Sequence, residues 1–229
     1  VKKFYRSYYK FKQELLPYVS GKIAISKDLY TYNSKNKWIT NELSRGRAHL
    51  LRSYHDCVLT SYNTVKKDNP ELTCRILGLE SKSPTRIILD KHLNLSTSSN
   101  IVKSSYKYKT IIFFINSNKK KINILKKHKI KLIKAKTNVD GNFDLENVLI
   151  KIKSLGFARV LVESGVNLIT GFLKRNLFDI FHIFISSNKI GKNGSLSFKK
   201  NMQLFFKNKK STYSKVNLLG DKLHSYELK

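Results

Sequence analysis

Short apolar runs alternate along this chain with segments whose apolar residues recur at helical spacing. The clearest helical segment begins after Asp144, a favourable N-cap residue, and ends at Gly156, a favourable C-terminal cap. Its apolar face is formed by Leu145, Val148, Leu149, Ile152 and Leu155. An apolar strand at 159–163 follows at once. Parallel strands need such helical crossovers, so this order predicts an α/β fold with a mostly parallel central sheet.

The other predicted elements follow the same alternation. Further strands are predicted at 18–26, 57–60, 86–90, 110–115, 130–134, 179–186 and 223–228. Further helices are predicted at 119–128, after Gly165, and from Thr40 as N-cap to about residue 54. The inward face predicted for this last helix consists of Leu43, Leu50, Leu51 and Tyr54. No helix clearly separates the last strands, so we expect an antiparallel edge. Three prolines and ten glycines leave no visible linker, which favours one domain.

The chain is strongly basic, with a net charge of +30 from 45 Lys and Arg against 15 Asp and Glu. A basic nucleic-acid-binding module is therefore one interpretation. However, the lysines are dispersed, and Lys119–Lys121 is the main cluster. We favour a compositional background with a general attraction for anionic substrates, and expect no nucleic-acid partner.

Metal and membrane sites are not expected. Two cysteines and six histidines show none of the spacings typical of zinc sites. The longest apolar run, at 111–115, is too short to span a bilayer, and the first residues lack the apolar run of a signal peptide. A cytoplasmic location is the resulting expectation.

Four predicted strand ends carry polar or flat side chains that a core does not need. Lys22 interrupts an apolar strand, either as a snorkelling edge residue or because it reaches a cleft. Trp38 precedes a helix, as a core anchor or as a platform for a flat ring. Residues 60–75 form a polar segment, interpreted as a solvated or ligand-binding loop. Glu163 ends a strand just before the glycine that opens a helix, a favourable place for phosphate. Ligands of open α/β sheets bind at such strand ends.

Taken in order, these segments resemble one family, the reductase domain of the bifunctional riboflavin-biosynthesis deaminase-reductase. The resemblance rests on KIAISKD at 22–28, WIT at 38–40, LLR at 50–52, TVKKDNPELTCR at 64–75, RIILD at 86–90 and LVESG at 161–165. It implies a three-layer α/β fold like that of dihydrofolate reductase, with helices on both faces of a mostly parallel sheet that has an antiparallel edge. It also implies a junction at 1–17, a reductase domain at 18–229, and a homodimer.

The resemblance assigns roles to individual residues. NADPH would lie against Ile25, Trp38, Thr64, Asp68, Lys91 and the segment Gly165, Val166, Asn167, Leu168, Ile169, Thr170 and Gly171. The substrate, a sugar-phosphate aminouracil, would face Asn36, Arg52, Leu72, Arg75 and Glu163. Lys22 would point at the sugar carbon that accepts hydride, and Asp68 or Glu163 could relay a proton. No metal is implied.

This chain departs from the family pattern at three positions. Leu29 and Ser164 stand where glycines are usual, and Asn36 stands where serine is frequent. The deaminase motifs H-x-E and P-C-x-x-C are absent, so we expect no deamination by these residues. The substrate implied is 5-amino-6-(5-phosphoribosylamino)uracil. The still-aminated diaminopyrimidinone is the alternative within the same enzyme class.

Overall fold

A computed structural model of the chain describes residues 5–213 and 216–229. These residues form two compact units. The first consists of Leu51–Leu161 and the described residues before Val19, and the second of Val19–Leu50 and the described residues from Val162 onward. The division into a junction at 1–17 and a domain at 18–229 stays a prediction.

The strands, in chain order, are β1 (Tyr18–Ile25), β2 (Tyr30–Asn33), β3 (Cys57–Ser61), β4 (Thr85–Leu89), β5 (Thr110–Phe114), β6 (Lys131–Lys134), β7 (Arg159–Glu163), β8 (Ile180–Ile185), β9 (Gly194–Ser197), β10 (Thr212–Tyr213) and β11 (Lys222–Glu227). The helices are α1 (Arg6–Gln13), α2 (Glu42–Ser53), α3 (Tyr62–Asp68), α4 (Asn100–Lys103), α5 (Lys119–Lys127), α6 (Leu145–Ser154), α7 (Val166–Lys174) and α8 (Lys199–Asn201), the last followed by a π-helical turn at Met202–Phe206. Each predicted strand and helix agrees with one of these within about two residues at either end.

The first unit contains the parallel strands β3, β4, β5 and β6, which pair in that order. The register places Leu59 opposite Ile87, and Ile87 opposite Ile111. β3, β4 and β5 are buried almost throughout, as expected for parallel strands covered by helices on both faces, whereas β6 begins and ends with an exposed lysine. The core of this unit consists of Val58, Val65, Leu72, Ile88, Leu93, Leu95, Ile101, Val102, Ile112, Leu125, Ile130 and Leu161.

The second unit contains the antiparallel edge. β1 pairs in parallel with β8, β8 pairs antiparallel with β11, and β11 pairs antiparallel with β10. A separate two-stranded sheet is formed by β2 and β9. The mostly parallel sheet with an antiparallel edge is therefore confirmed. The strand predicted at 223–228 is not the outermost one, because the two-residue β10 lies beyond it.

Aromatic packing explains the glycine next to Lys22. A Cβ atom on Gly21 would lie 2.3 Å from the ring of Phe181 and 2.8 Å from that of Phe178. These rings belong to a buried aromatic cluster that also contains Phe172, Phe198 and Phe206. β1 therefore approaches the cluster closely at Gly21.

The ends of two helices test the predicted caps. Asp144 caps α6 as predicted, because its Oδ1 accepts the Asn147 N–H at 3.0 Å. Thr40 as the cap of α2 is wrong. Asn41 fills that role, with its Oδ1 accepting the Ser44 N–H at 3.0 Å.

The predicted inward face of α2 is also partly wrong, since Leu43 and Tyr54 are 46% and 52% exposed. The residues of α2 that are buried are the small Ser44 and Ala48. Small side chains allow close packing but give no apolar signal in the sequence.

Burial of His55 predicts a pH-dependent stability. The side chain is 7% exposed, and its Nδ1 lies 2.6 Å from the Leu51 carbonyl oxygen, to which a neutral ring can donate. Burial lowers the pKa of His55 to about 4. Between about pH 6.5 and pH 4, His55 is therefore protonated in the unfolded chain but remains neutral in the folded chain. We expect the free energy of unfolding to fall as the pH drops through this window, and His55→Asn to remove that part of the slope.

Urea unfolding of both proteins at several pH values measures this effect. The difference between them isolates His55 from the other acidic titrations. Identical slopes for His55→Asn and wild type would show that the histidine does not resist protonation.

Candidate active site

The centre of the candidate site is an ion pair between the two residues that the sequence singled out at strand ends. Lys22 lies on β1 and Glu163 ends β7. The Lys22 Nζ atom lies 3.2 Å from the Glu163 Oε1 atom, and the two side chains are only 14% and 15% exposed. A partly desolvated ammonium held by a carboxylate can donate to an electron-rich atom of a ligand, because it has three N–H groups.

The interpretation of Lys22 as a snorkelling edge lysine is wrong. β1 pairs with β8, with Lys22 opposite His182, and the Lys22 side chain is only 14% exposed, so its ammonium does not extend into solvent. The Nζ atom also lies 5.6 Å from the ring centroid of Phe184. Lys22 is therefore enclosed by specific neighbours.

Asn36 and Trp38 both line a cavity of the second unit, whose volume is about 420 Å³. The Asn36 Oδ1 accepts the backbone N–H of Trp38 at 3.0 Å. The indole ring of Trp38 is 50% exposed, so the core-anchor interpretation of this residue is wrong. An exposed flat ring beside a cavity is instead suited to stacking on a flat ligand.

The turn after β1 is held by Asp28. Partial burial opposes its ionisation, but hydrogen bonds from the Ser26 hydroxyl and from the Ile190 and Gly191 N–H groups lower the pKa of Asp28 to about 2. Leu29, where the family usually has glycine, has a φ of 68°. This left-handed conformation costs an ordinary residue roughly 1–2 kcal/mol, so the departure at Leu29 is accommodated with strain.

The segment Gly165–Gly171 begins α7. Gly165 is the N-cap residue and has no side chain with which to cap the helix. The positive end of the helix dipole and the N–H groups of the first turn lie here. Ser164 is not among the residues with left-handed backbone, so its conformation does not require the glycine usual in the family. This helix start is suited to a phosphate group.

Later residues of this segment contribute backbone more than side chain. The Ile169 side chain is fully buried. The Thr170 hydroxyl donates to the Val166 carbonyl and accepts from the Asn201 Nδ2, both at 2.7 Å.

In the first unit, the polar segment 60–75 begins with a helix that the sequence did not predict. Ser61 caps α3, since its Oγ accepts the Thr64 N–H at 3.4 Å. Thr64 lies in the first turn of α3, and Asp68 is its last residue and is exposed.

The two arginines assigned to the substrate already have partners within the first unit. The Arg52 Nη1 atom donates to the Thr73 carbonyl at 2.9 Å. The Arg75 Nη1 atom lies 3.1 Å from the Glu71 Oε2 atom, and both side chains are about half exposed. Each guanidinium carries five N–H groups and can therefore donate to several acceptors at once.

Two assigned residues are buried in ways that limit their role. Ile25 is 0% exposed, and Leu72 is 3% exposed within the core of the first unit. Any contact of these residues with a ligand would use the backbone. Lys91 is half-buried, and its carbonyl accepts the N–H groups of Ile115 and Asn116.

Sequence reasoning missed Arg45 and Asp221, which line the cavity beside Trp38. The Arg45 guanidinium carbon lies 4.8 Å from the Trp38 ring centroid. One signal was available for Arg45, because a cation near a helix N-terminus is unfavourable unless it has another partner. Asp221 offered no such signal. It lies 177 positions from Ser44, whose hydroxyl donates a hydrogen bond to its Oδ2 atom.

Residues 5–213 and 216–229 contain no group of three or more His, Cys, Asp or Glu side chains arranged to bind a metal ion. Every helix in them is too short or too polar to cross a bilayer.

The fold is shared with solved proteins. Acinetobacter baumannii RibD superimposes with a TM-score of 0.80 at 20% identity, over 99% of this chain and 62% of that protein. A Thermotoga maritima protein superimposes with a TM-score of 0.75 at 24% identity, over 99% of this chain and 60% of that one. Its name is diaminohydroxyphosphoribosylaminopyrimidine deaminase/5-amino-6-(5-phosphoribosylamino)uracil reductase. The fold class expected from the sequence is confirmed.

The family follows from the sequence match. Residues 17–219 match the family model described as RibD C-terminal domain, so the chain belongs to this family. RibD of Aquifex aeolicus is 35% identical over 182 residues, which are 79% of this chain and 49% of that protein. The chain thus spans about half the length of the curated relatives it matches.

Proposed function

We propose that this chain reduces 5-amino-6-(5-phosphoribosylamino)uracil to 5-amino-6-(5-phosphoribitylamino)uracil with NADPH. Membership of the RibD C-terminal domain family supports the pathway and the reaction type. The observation that carries the proposal is the Lys22–Glu163 ion pair, which presents an ammonium group from the interior of β1. Hydride transfer to a carbonyl or imine carbon places negative charge on the attached oxygen or nitrogen. A hydrogen-bond donor such as this ammonium stabilises that charge.

The described residues fit a nicotinamide cofactor. The half-exposed ring of Trp38 borders a cavity of about 420 Å³, and the start of α7 at Gly165 is suited to phosphate. When bound, NADPH supplies the hydride. Trp38 would hold the cofactor by ring contact, and the backbone from Gly165 to Gly171 would hold its phosphates. Of the two nicotinamide cofactors we propose NADPH, because the surplus of lysines favours the additional phosphate.

Lys22 polarises the reacting group of the substrate. Its Nζ atom donates to the oxygen or nitrogen on the sugar carbon that is reduced, and so stabilises the negative charge that develops there. Glu163 holds the ammonium in place. The proton that completes the product comes from a side chain of the site or from solvent, with Glu163 and Asp68 as the candidates of this chain.

The substrate phosphate is assigned to Arg52 and Arg75. A planar guanidinium can bind phosphate through two parallel hydrogen bonds, which a lysine ammonium does not offer. Asn36 and the backbone of Leu72 complete the proposed contacts. The family resemblance extends the proposal to a homodimer. A cytoplasmic location and the absence of a nucleic-acid partner are proposed from the sequence, because it shows no signal or membrane segment and its lysines are dispersed.

A direct assay tests the proposal. Purified protein is mixed with NADPH and the ribosylaminouracil phosphate, and the nicotinamide absorbance is followed. We expect oxidation of NADPH that depends on the substrate, and slower oxidation of NADH. Faster turnover of the still-aminated diaminopyrimidinone would move reduction before deamination. Absence of turnover with both pyrimidines would contradict the proposed function.

A further inference from the structure

Arg45 occupies a place in the cavity of the second unit that the proposed function does not yet use. It projects from the first turns of α2 toward Trp38. Its Nη1 atom donates to the Thr40 carbonyl at 2.9 Å, and its guanidinium carbon lies 4.8 Å from the indole centroid. One nitrogen of the guanidinium is thus bound to the backbone, and the guanidinium carbon lies over the ring.

The ring of Trp38 needs such a contact to keep one orientation. Its backbone is fixed by the Asn36 side chain, but the ring itself is half exposed. A second cation, the Lys37 Nζ atom, lies 5.2 Å from the ring centroid, on an exposed side chain. A flexible ammonium restrains a ring less than a planar guanidinium does.

The base from which Arg45 projects is held firmly. The Asp221 Oδ2 atom accepts the Asn41 N–H at 2.9 Å and the Ser44 hydroxyl at 2.7 Å. Its other oxygen accepts the Ser187 N–H at 3.1 Å. Asp221 is 5% exposed, so these hydrogen bonds are shielded from water. The start of α2 and the cavity residue Ser187 are therefore joined through one carboxylate.

We propose that Arg45 is a positioning residue that fixes the indole plane of Trp38 for contact with the nicotinamide cofactor. This inference rests on the proposed function, because it assigns the ring to cofactor binding. Arg45 acts through Trp38 and does not touch the reacting atoms. Its loss raises the dissociation constant for NADPH more than it lowers kcat at saturating cofactor.

Trp38 is the only tryptophan of the chain, so the intrinsic tryptophan fluorescence reports on this ring alone. The experiment compares wild type, Arg45→Ala, Arg45→Lys and Lys37→Ala. Acrylamide quenching and fluorescence anisotropy without cofactor report how freely the ring moves. Titration with NADPH then gives the dissociation constant from the same signal.

We expect Arg45→Ala to increase quenching, lower the anisotropy and weaken NADPH binding roughly threefold to thirtyfold, the range expected for a cation–π contact. Arg45→Lys keeps the charge but not the planar guanidinium, so it should restore part of both properties. Lys37→Ala removes the other nearby cation and should change both properties little. Circular dichroism of each variant controls for the fold.

The outcomes separate the inference from the proposed function. If wild type binds NADPH and Arg45→Ala binds it equally well, or if the ring is no more mobile in the variant, the inference about Arg45 is wrong while the proposed function stands. If wild type does not bind NADPH, the proposed function fails and the inference fails with it. Equal effects of Arg45→Ala and Lys37→Ala would show that any nearby positive charge acts on the ring in the same way and that the Arg45 guanidinium has no separate role.

Discussion

Replacing Lys22 with methionine should lower kcat about 10²-fold to 10³-fold, the usual cost of removing one donor to a developing negative charge. Methionine has nearly the same length but no charge. The ammonium acts on charge that forms only as hydride arrives, so the loss is expected in kcat and much less in NADPH affinity. Steady-state kinetics with a separate NADPH titration measures both quantities.

Matched variants show whether the effect belongs to this lysine. Lys27→Met removes an exposed charge just beyond the end of β1 without touching Glu163, and should turn over nearly as wild type. Glu163→Gln removes the partner of the ion pair. If Glu163 acts mainly by holding Lys22, the double variant should be hardly slower than Lys22→Met alone. Normal turnover by folded Lys22→Met would exclude Lys22 from the chemistry, and failure of this variant to fold would make the lysine structural.

Most strands were predictable because a buried strand also appears in the sequence as a short apolar run. Each strand of the two units with a buried apolar stretch, such as β5 or β8, was recognised from that stretch. β2 was missed because its four residues are all half-buried and its sequence is polar. α3 was missed for a similar reason, since Val65 is its one buried residue. Short elements that lie at the surface leave little periodicity to detect.

The candidate site was predictable as a set of residues but not as a set of contacts. Lys22 and Glu163 are 141 positions apart, so the chain alone does not show that their side chains meet. The family resemblance assigned Ile25 and Leu72 to ligands by position, whereas the structure buries both side chains. Position in a motif does not say whether a side chain or the backbone is presented. Arg45 lay outside every quoted motif, although its place near a helix start was unusual.

Arg86 shows the same limit in the core. The sequence identified it only as the start of an apolar strand, yet its side chain is 0% exposed. Its three nitrogens donate to five groups, the Thr110 and Ser104 hydroxyls and the carbonyls of Ile101, Tyr108 and Glu71, at 2.7 to 3.3 Å. Burial lowers the pKa of Arg86 to about 10, so the guanidinium remains charged at neutral pH.

Arg86→Met should therefore lower the free energy of unfolding by about 3–5 kcal/mol, since each buried acceptor left without a donor costs roughly 1–3 kcal/mol. Replacing a whole buried ion pair by apolar residues can be neutral because both partners disappear. Here the three carbonyls belong to the backbone and cannot be removed, while the two hydroxyls still donate to the carbonyls of Asn100 and Tyr108. Urea unfolding measures the loss. Arg175→Met is the control, because Arg175 is exposed and donates to one carbonyl at 3.3 Å. This control should lower the free energy of unfolding by about 0.5 kcal/mol or less. Equal stability of the two variants would mean that the buried carbonyls find other donors and that Arg86 does not hold β4, α4 and the Glu71 segment together.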